Sequence, residues 1–344
     1  MNKNLHPWVL LMGLLIGART LHSAPATRAA FLQLIDRPRV ALASEVAAPV
    51  NREGLTESAF SFATETGQRV PGILVKGASA DRRPVVIALH GTGGNKETQR
   101  ALLDELARAG FISIAIDARH HGARAHAGAA AKATEYVEAI LRTFRTGEGL
   151  PFFFDTAWDV MRLIDYLETR PDVAAERIGL IGFSKGGIET YLTAAVDPRI
   201  AVAVPCIGVQ SFQWALANDA WRSRIETVQK AFDTAARESA ITQPGAAFVR
   251  TFYDRIAPGL AGEFDGPAML PLIAPRPLLA INGEIDPRTP GPGLKLCADA
   301  ARAAYHAAGA DEKFVLHVQP ATAHKVLPSS IILAREWFVR WLRP

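Results

Sequence analysis

The amino-acid sequence predicts an α/β protein with a doubly wound, mostly parallel sheet of eight strands and a helical cap as an insertion. Short apolar runs alternate along the chain with longer segments whose apolar residues recur three and four positions apart. Such runs are typical of strands buried on both faces, and strands that alternate with helices form parallel sheets. One segment, residues 209–275, interrupts the alternation and is too long for a plain connection between two strands.

The predicted sheet begins with an antiparallel hairpin, because polar and apolar residues alternate over residues 55–64 and 69–76 around the turn-like Thr66-Gly67. Six further strands are predicted from apolar runs at residues 84–89, 111–116, 178–181, 201–207, 277–281 and 313–318. Amphipathic patterns predict helices at residues 96–109, 157–169, 186–195, 293–308 and 329–342. The chain shows no internal repeat and no low-complexity linker, so these elements are expected to form one domain.

Two segments depart from this alternation. Residues 123–156 are rich in Ala and Gly at first and then carry an amphipathic stretch at residues 136–144. The insertion at residues 209–275 is rich in aromatic residues, and we interpret it as a mostly helical cap over the sheet. The alternative is that these side chains simply extend the core, since aromatic residues at helical spacing usually pack. The aromatic residues in question are Phe212, Trp214, Trp221, Phe232, Phe248, Phe252 and Tyr253.

The first 26 residues have the pattern of a secretory signal peptide. Lys3 supplies a positive charge, residues 8–16 form an apolar core, and Ala24-Pro25-Ala26 offers small residues at a cleavage site. The apolar core is shorter than the roughly 20 residues that span a bilayer, so a permanent membrane anchor is the less favoured alternative. We therefore expect an exported protein, periplasmic or secreted, with an N-terminal extension at residues 27–54 and one domain at residues 55–344.

Charge and cysteine content exclude several classes of partner. The formal net charge is +4, and no Lys and Arg cluster interleaves with aromatic residues, so nucleic acid is not an expected partner. Cys206 and Cys297 are the only cysteines, and the sequence leaves open whether they form a disulfide or remain free, buried thiols. No pair of Cys or His residues stands at a metal-ligand spacing, so neither a metal nor another cofactor is expected. The oligomeric state is left open.

The strongest chemical signal is Gly182-Phe183-Ser184-Lys185-Gly186, which stands between a predicted buried strand and a predicted helix. A tight strand-to-helix turn needs small flanking residues and presents its serine to solvent at the helix N-terminus. Ser184 is therefore the predicted nucleophile. The negative charge that develops on an attacked carbonyl needs preorganised N–H donors. We expect these donors to be the amides of Lys185 and of Thr92, with Gly91 and Gly93 of the same glycine-rich loop as less favoured donors.

A serine nucleophile also needs a base and an acid that orients it, in the chain order Ser, Asp, His. Asp286 follows the predicted strand at residues 277–281 and is the predicted acid, with Glu284 as its rival. His324 lies in the loop before the last helix and is the predicted base. His317 lies within a predicted strand, where a histidine more often packs or faces solvent. The predicted triad is Ser184, Asp286 and His324.

These motifs resemble those of the α/β-hydrolase superfamily over residues 55–344. The matching motifs are HGTGG at residues 90–94, GFSKG at 182–186, NGEIDPRTP at 282–290 and AHK at 323–325. The turn at residues 117–122 and the Trp158-Asp159 pair resemble the acetyl xylan esterase, dienelactone hydrolase and prolyl oligopeptidase-like groups. Dienelactone hydrolases use cysteine where this chain has serine, and prolyl oligopeptidases usually carry an N-terminal propeller, for which this sequence leaves no room.

The resemblance implies a serine esterase that cleaves carboxylic esters through an acyl-enzyme, acting on small molecules or on acetyl or feruloyl esters of polysaccharides. A serine peptidase of the prolyl oligopeptidase type is the alternative enzyme, and a catalytically silent binding protein is the alternative of another class. The substrate pocket is expected to involve Gly91 and Gly93 of the donor loop. Other residues expected near it are Asp117, Arg119, Trp214 and Trp221, and Arg124 is a less favoured functional candidate.

Overall fold

The computed structural model describes residues 24–79, 81–125, 129–150 and 152–343. Within these ranges, ten strands form one sheet: β1 (Glu45–Val46), β2 (Val50–Arg52), β3 (Leu55–Glu65), β4 (Gln68–Gly77), β5 (Arg83–Leu89), β6 (Ile112–Ile116), β7 (Val173–Phe183), β8 (Ile200–Cys206), β9 (Leu278–Gly283) and β10 (Phe314–Gln319). The eight predicted strands correspond to β3–β10. The two additional strands, β1 and β2, both pair with β3 at the sheet edge and are too short for a periodic pattern to reveal them.

Twelve α-helices connect or cover the strands within the described residues: α1 (Ala24–Ile35), α2 (Arg100–Arg108), α3 (Ala129–Thr146), α4 (Phe154–Glu168), α5 (Lys185–Val196), α6 (Phe212–Ala217), α7 (Arg222–Ile225), α8 (Gln229–Glu238), α9 (Ala246–Ile256), α10 (Gly266–Met269), α11 (Gly291–Ala307) and α12 (Pro328–Leu342). The five predicted helices outside the insertion correspond to α2, α4, α5, α11 and α12. Among the described residues, no helix is long and apolar enough to span a membrane.

The strand order is β1-β3-β4-β6-β5-β7-β8-β9-β10, with β2 beside β3. The β3–β4 hairpin is antiparallel, and β4 also runs antiparallel to β6. All pairings from β6 through β5, β7, β8 and β9 to β10 are parallel. The sheet is therefore doubly wound and mostly parallel, as the sequence predicts. Because parallel strands end at one edge, the loops that follow β5, β7, β9 and β10 gather there.

Helices bury both faces of the sheet. On one face α2 and α12 cover the strands, and Leu103 and Phe338 are completely buried there. On the other face α4, α5 and α11 form a second, larger core with side chains such as Phe154, Tyr191 and Tyr305, none of which is exposed. Cys206 and Cys297 are also buried, and both are free thiols rather than a disulfide.

The N-terminal segment contributes to this core rather than lying outside it. Phe31 and Ile35 of α1 are fully buried, and the Phe31 ring meets the rings of Phe154 and Phe264 edge-on at 5.0 Å. Part of the predicted extension at residues 27–54 is therefore integral to the domain. The predicted signal peptide lies mostly outside the described residues, which begin at Ala24 of α1.

The insertion at residues 209–275 is mostly helical and comprises α6 to α10. Several of its aromatic side chains pack against α3, where the Phe144 ring lies 5.5 Å from the Phe252 ring and 6.2 Å from the Phe248 ring. The Phe232 ring belongs to the same cluster, with its centroid 5.3 Å from that of Phe248. The aromatic residues thus extend the core, and the same segment also contributes a wall of the pocket described below.

Candidate active site

Ser184 lies at the sharp turn between β7 and α5. Its backbone φ and ψ are 56° and −111°, a conformation that costs a non-glycine residue about 1–3 kcal/mol and is found mainly at functional sites. The Ser184 amide donates to the carbonyl of Cys206 at 2.9 Å, and its carbonyl accepts from the amide of Ile188 at 3.1 Å. These bonds hold the turn in place and leave the hydroxyl for another partner.

The two glycines of the motif are required by close backbone contacts. A Cβ at Gly186 would lie 2.5 Å from the carbonyl oxygen of Leu89, at the end of the neighbouring strand. A Cβ at Gly182 would overlap the carbonyl oxygen of Gly186. The turn can therefore form only where neither position carries a side chain.

The loops after β9 and β10 bring the other two predicted residues to Ser184. The Nε2 atom of His324 lies 2.8 Å from Ser184 Oγ. Its Nδ1 atom lies 2.7 Å from Asp286 Oδ2. Ser184, His324 and Asp286 thus form a continuous hydrogen-bonded series at the carboxyl edge of the sheet, and with Nδ1–H donating to the carboxylate, Nε2 is free to accept the serine proton.

The surroundings of Asp286 keep it ionised. Burial acts to raise its pKa, but the hydrogen bonds from His324 and from the Arg288 amide, the latter at 2.8 Å, outweigh it, so the pKa of Asp286 lies below its ordinary value. The rival Glu284 is exposed and accepts from the Ala321 amide at 2.7 Å. His317 lies on β10, where its Nε2 is 3.1 Å from Ser330 Oγ. Neither rival touches Ser184.

The predicted oxyanion donors flank the serine. The Lys185 amide is in the first turn of α5, whose N–H groups the helix itself does not satisfy. Thr92 follows β5 and lines the same pocket as Ser184, and its amide makes no hydrogen bond to a described residue. The adjoining Gly91 is packed behind the serine, where a Cβ would lie 3.2 Å from the Phe183 carbonyl oxygen.

The Lys185 side chain is turned away from solvent and forms a buried ion pair with Glu189, one turn along α5. Each side chain of the pair is 1% exposed. Burial raises the pKa of Glu189 to about 7, although the attraction of Lys185 opposes this. The cation of Lys185 is therefore compensated within the protein.

Two buried histidines support the donor loop. His90 Nδ1 lies 2.8 Å from the Gly91 carbonyl, and its Nε2 accepts from the Ala118 amide at 3.1 Å. His121 packs beside it, with 5.0 Å between the ring centroids. Burial, assisted by the charge of Lys185, lowers the pKa of His90 to about 4 and that of His121 to about 2. Both imidazoles are therefore neutral near pH 7.

The pocket that opens on Ser184 has largely aromatic walls. It contains about 410 Å³ of space that no protein atom fills, including the solvent at its mouth. Phe152 and Phe153 line one side, and Phe212 and Tyr253 of the insertion line another, their rings 5.2 Å apart. Apolar walls with a few polar groups are typical of sites for small organic groups.

Several residues expected near the pocket lie elsewhere because other contacts engage them. Asp117 is completely buried and accepts from both the amide and the ammonium of Lys96, at 2.8 and 2.7 Å. Arg119 pairs with Glu65 and Asp155, and Arg124 pairs with Asp159. These groups form an ion-pair network behind the site and do not line it.

The two predicted tryptophans also lie outside the pocket that opens on Ser184. Trp214 packs near Gly293 at the start of α11. Trp221 lines a separate surface cleft and stacks with the Arg222 guanidinium at 4.3 Å from its ring centroid. Gly93 lines a third cleft, which adjoins the catalytic pocket at Thr92.

Sequence reasoning missed several polar residues that do line the pocket, among them Gln210 and Arg224. Gln210 follows β8, and its side-chain oxygen is buried without a hydrogen-bond partner among the described residues. Arg224 belongs to α7 of the insertion and is 4% exposed. Gln210 carried a weak signal, since it closely follows a predicted strand, whereas no local pattern distinguishes Arg224 from other arginines.

Comparison with known proteins identifies the family to which the chain is similar. A family model described as "Glucuronyl esterase, fungi" matches residues 74–309. The chain is 27% identical over 271 residues to YtaP of Bacillus subtilis (strain 168), described as a hydrolase. The aligned region covers 75% of this chain and 78% of that protein. It is 28% identical over 156 residues to 4-O-methyl-glucuronoyl methylesterase 1 of Wolfiporia cocos (strain MD-104), covering 44% of this chain and 36% of that protein.

Among solved structures, the acetyl xylan esterase from Paenibacillus sp. R4 is similar in fold, with a TM-score of 0.61 and 19% identity over 92% of this chain and 93% of that one. At this identity the likeness concerns the fold alone. The match of the family model, in contrast, extends over more than half of the chain, from β4 to just beyond α11. This chain therefore belongs to the glucuronyl esterase family and is a carboxylic ester hydrolase.

Proposed function

We propose that this protein is an exported serine esterase in which Ser184 attacks the carbonyl carbon of an ester. One observation carries the proposal: the uninterrupted series from Ser184 Oγ through the His324 imidazole to the Asp286 carboxylate, with separations of 2.8 and 2.7 Å. A serine hydroxyl becomes nucleophilic when an adjacent base accepts its proton, and this arrangement supplies that base.

In the first half of the reaction, His324 Nε2 takes the proton of Ser184 as Oγ bonds to the carbonyl carbon. The carbonyl oxygen becomes an oxyanion and accepts hydrogen bonds from the amides of Lys185 and Thr92. Asp286 holds the imidazole in the required tautomer and stabilises the imidazolium. The bond to the alcohol oxygen then breaks, and the alcohol leaves with the proton from His324.

The second half returns the enzyme to its starting state. A water molecule gives a proton to His324 as its oxygen bonds to the acyl carbon of the acyl-enzyme. The second oxyanion collapses, the bond to Ser184 Oγ breaks, and His324 returns the proton to the serine. The products are one carboxylic acid and one alcohol, and neither a metal nor an organic cofactor takes part.

The family suggests the acid half of the substrate. The matched family is named for glucuronyl esters, and the Wolfiporia cocos relative is named as a 4-O-methyl-glucuronoyl methylesterase. We infer that the scissile ester joins a uronic acid of a saccharide to an alcohol. The pocket adjoins the cleft lined by Gly93, with Thr92 and Thr227 common to both, and this cleft provides space for further sugar units. The leader at residues 1–26 would export the enzyme to such a polymer.

The direct test is hydrolysis by the wild-type protein and by Ser184→Ala. Substrates are methyl glucuronate, p-nitrophenyl acetate, acetylated xylan and methyl ferulate, so that uronic esters are compared with acetyl and feruloyl esters. We expect the variant to lose about 10³-fold or more in kcat on every substrate that the wild type cleaves, and to lose labelling by a fluorophosphonate probe. Ser239→Ala, at an exposed position after α8, is the matched control. Parental turnover by Ser184→Ala contradicts the proposal.

A further inference from the structure

The catalytic pocket is lined by three Lys and Arg side chains, and two of them have acidic partners. Lys185 is paired with Glu189. Arg288 is paired with Glu226 through two hydrogen bonds of 2.9 and 3.0 Å. The third, Arg224, forms no ion pair with a carboxylate of the described residues.

Arg224 is nonetheless deeply buried, with 4% of its surface exposed. Its Nε atom donates to Ser223 Oγ at 3.0 Å, and its Nη2 donates to the carbonyl of Arg288. The guanidinium lies 5.0 Å from the centroid of the Phe212 ring. Its Nη1 atom makes no hydrogen bond to a described residue, so donor capacity remains on the side chain that lines the pocket.

The nearest acids, Asp265 and Asp286, attract Arg224 but form no direct ion pair with it, and their oxygens accept from other donors. Asp265 accepts from the Ser211 hydroxyl and the Phe212 amide at 2.6 and 2.7 Å. Asp286 is bound to His324 and the Arg288 amide. Burial lowers the pKa of Arg224 to about 10, which reflects how poorly the surroundings compensate its charge.

A buried charge without a partner is costly, and the effective penalty in proteins is several kcal/mol. The hydrogen bonds that Arg224 donates to Ser223 and to the Arg288 carbonyl need a donor but not a full charge, and the Phe212 ring face compensates the charge only in part. Charges are normally buried where something of opposite sign pairs with them. For a guanidinium with an open Nη1 in a substrate pocket, the matching group is a carboxylate.

We propose that Arg224 binds a free carboxylate that the substrate carries beside its scissile ester, so that the enzyme acts on partly esterified acidic saccharides. This inference rests on the proposed function, because it takes Ser184 as the point of attack. In a chain of uronic acids, one unit would present its ester to Ser184 while the free carboxylate of another unit pairs with Arg224. A fully esterified saccharide lacks that second charge.

The test compares two disaccharides of uronic acid, one with a single methyl ester and one free carboxylate, the other with both carboxylates methylated. Methanol release gives kcat/KM per ester for each. We expect the wild type to prefer the half-esterified substrate by about ten- to a hundredfold, the range of one charge-assisted hydrogen bond. The preference should disappear in Arg224→Met and be reduced in Arg224→Lys. Arg222→Met is the matched control, since Arg222 lies on the same short helix but is exposed and stacks on Trp221, and it should keep the preference.

A second readout covers the case in which neither disaccharide is cleaved. Hydrolysis of p-nitrophenyl acetate, a neutral ester, is measured with and without the disaccharide that carries two free carboxylates. Inhibition of the wild type that Arg224→Met loses supports the inference. The inference is overturned if the wild type shows neither a preference for the half-esterified disaccharide nor inhibition by the disaccharide with two free carboxylates. It is also overturned if Arg224→Met and Arg224→Lys keep these effects.

The same assays separate this inference from the proposed function. Ser184-dependent cleavage of p-nitrophenyl acetate without any effect of the carboxylate leaves the esterase intact and rejects the role of Arg224. Cleavage that persists in Ser184→Ala rejects the proposed function, whatever the disaccharides do. A variant of Arg224 that does not fold is identified by loss of p-nitrophenyl acetate hydrolysis together with a lowered thermal midpoint. In that case the inference is judged from the substrate preference and the inhibition of the wild type alone.

Discussion

The backbone amide of Arg288 donates a hydrogen bond of 2.8 Å to Oδ1 of Asp286. This bond occupies one carboxylate oxygen and leaves Oδ2 for the imidazole of His324, 2.7 Å away. The turn after β9 therefore fixes the direction in which the acid accepts, and with it the nitrogen of His324 that faces Ser184.

Replacing Asp286 by Asn should lower kcat by about 10⁴-fold, because an amide in this position can donate to Nδ1 and favour the tautomer whose Nε2 carries a proton. The measurement is kcat on p-nitrophenyl acetate, with circular dichroism to verify the fold. Glu284→Gln is the matched control, since Glu284 lies two residues away, is exposed and does not touch His324. An equal loss of kcat in the two variants would show that Asp286 is not the acid of the triad.

Gly182→Ala should destabilise the folded protein strongly, by about 3 kcal/mol or more, because the added methyl group would overlap the Gly186 carbonyl at the turn that carries Ser184. The measurement is the free energy of unfolding in urea. Gly291→Ala is the control, because a Cβ at that position meets nothing within 4 Å. A stable, active Gly182→Ala variant would show that the turn is less constrained than its contacts indicate.

Acidification should destabilise the protein below about pH 6.5, the ordinary pKa of histidine. His90 and His121 stay neutral in the folded state, since their pKa values are lowered to about 4 and about 2, whereas the unfolded chain binds these protons. Stability is thus fully present above pH 6.5 and falls as the pH decreases toward 4. Glu189 has the opposite effect on stability, because its pKa is raised to about 7 in the folded state. The folded protein therefore keeps a proton on Glu189 at pH values at which the unfolded chain has already released it, and acidification favours the folded state through this group.

Two histidines lower the stability on acidification and Glu189 offsets one of them. From these three groups the free energy of unfolding should therefore fall by about 1.4 kcal/mol per pH unit as the pH decreases from 6 to 5. Urea unfolding at several pH values measures it. His121→Asn should flatten the slope, even if it lowers stability throughout. His306→Asn, at a surface histidine, is the matched control for the loss of one imidazole. A stability that does not change from pH 7 to pH 4.5 would contradict the expectation.

The sheet and the position of Ser184 could be predicted because both depend on local signals. The strands are short apolar runs, and Ser184, Asp286 and His324 each follow a strand whose end lies at the same edge of a parallel sheet. Chain order and strand ends therefore place these residues together without knowledge of any distance. The glycines at 182 and 186 add an independent signal, since the turn cannot form with larger residues there.

The remainder depends on contacts between segments far apart in sequence. Arg224 reaches the pocket only because the insertion folds back over the sheet, and nothing in its neighbours indicates this. Asp117 and Arg119 do follow a strand, but they form ion pairs with Lys96 and Glu65 and do not line the pocket. The sequence does not reveal the contribution of α1, because Phe31 and Ile35 follow directly after a leader-like segment and carry no pattern that separates them from an extension.

The bond from Arg224 Nη2 to the Arg288 carbonyl connects the insertion to the turn whose amide fixes Asp286. A change at Arg224 therefore alters a backbone group only two residues from the acid. Evolution of this pocket toward other substrates is thus constrained: a substitution at position 224 that suits a new ligand also disturbs the hydrogen bonds that orient Asp286. We expect variants selected for new specificity to acquire compensating changes at residues 287–289, and relatives with a different residue at position 224 to carry a differently built acid turn.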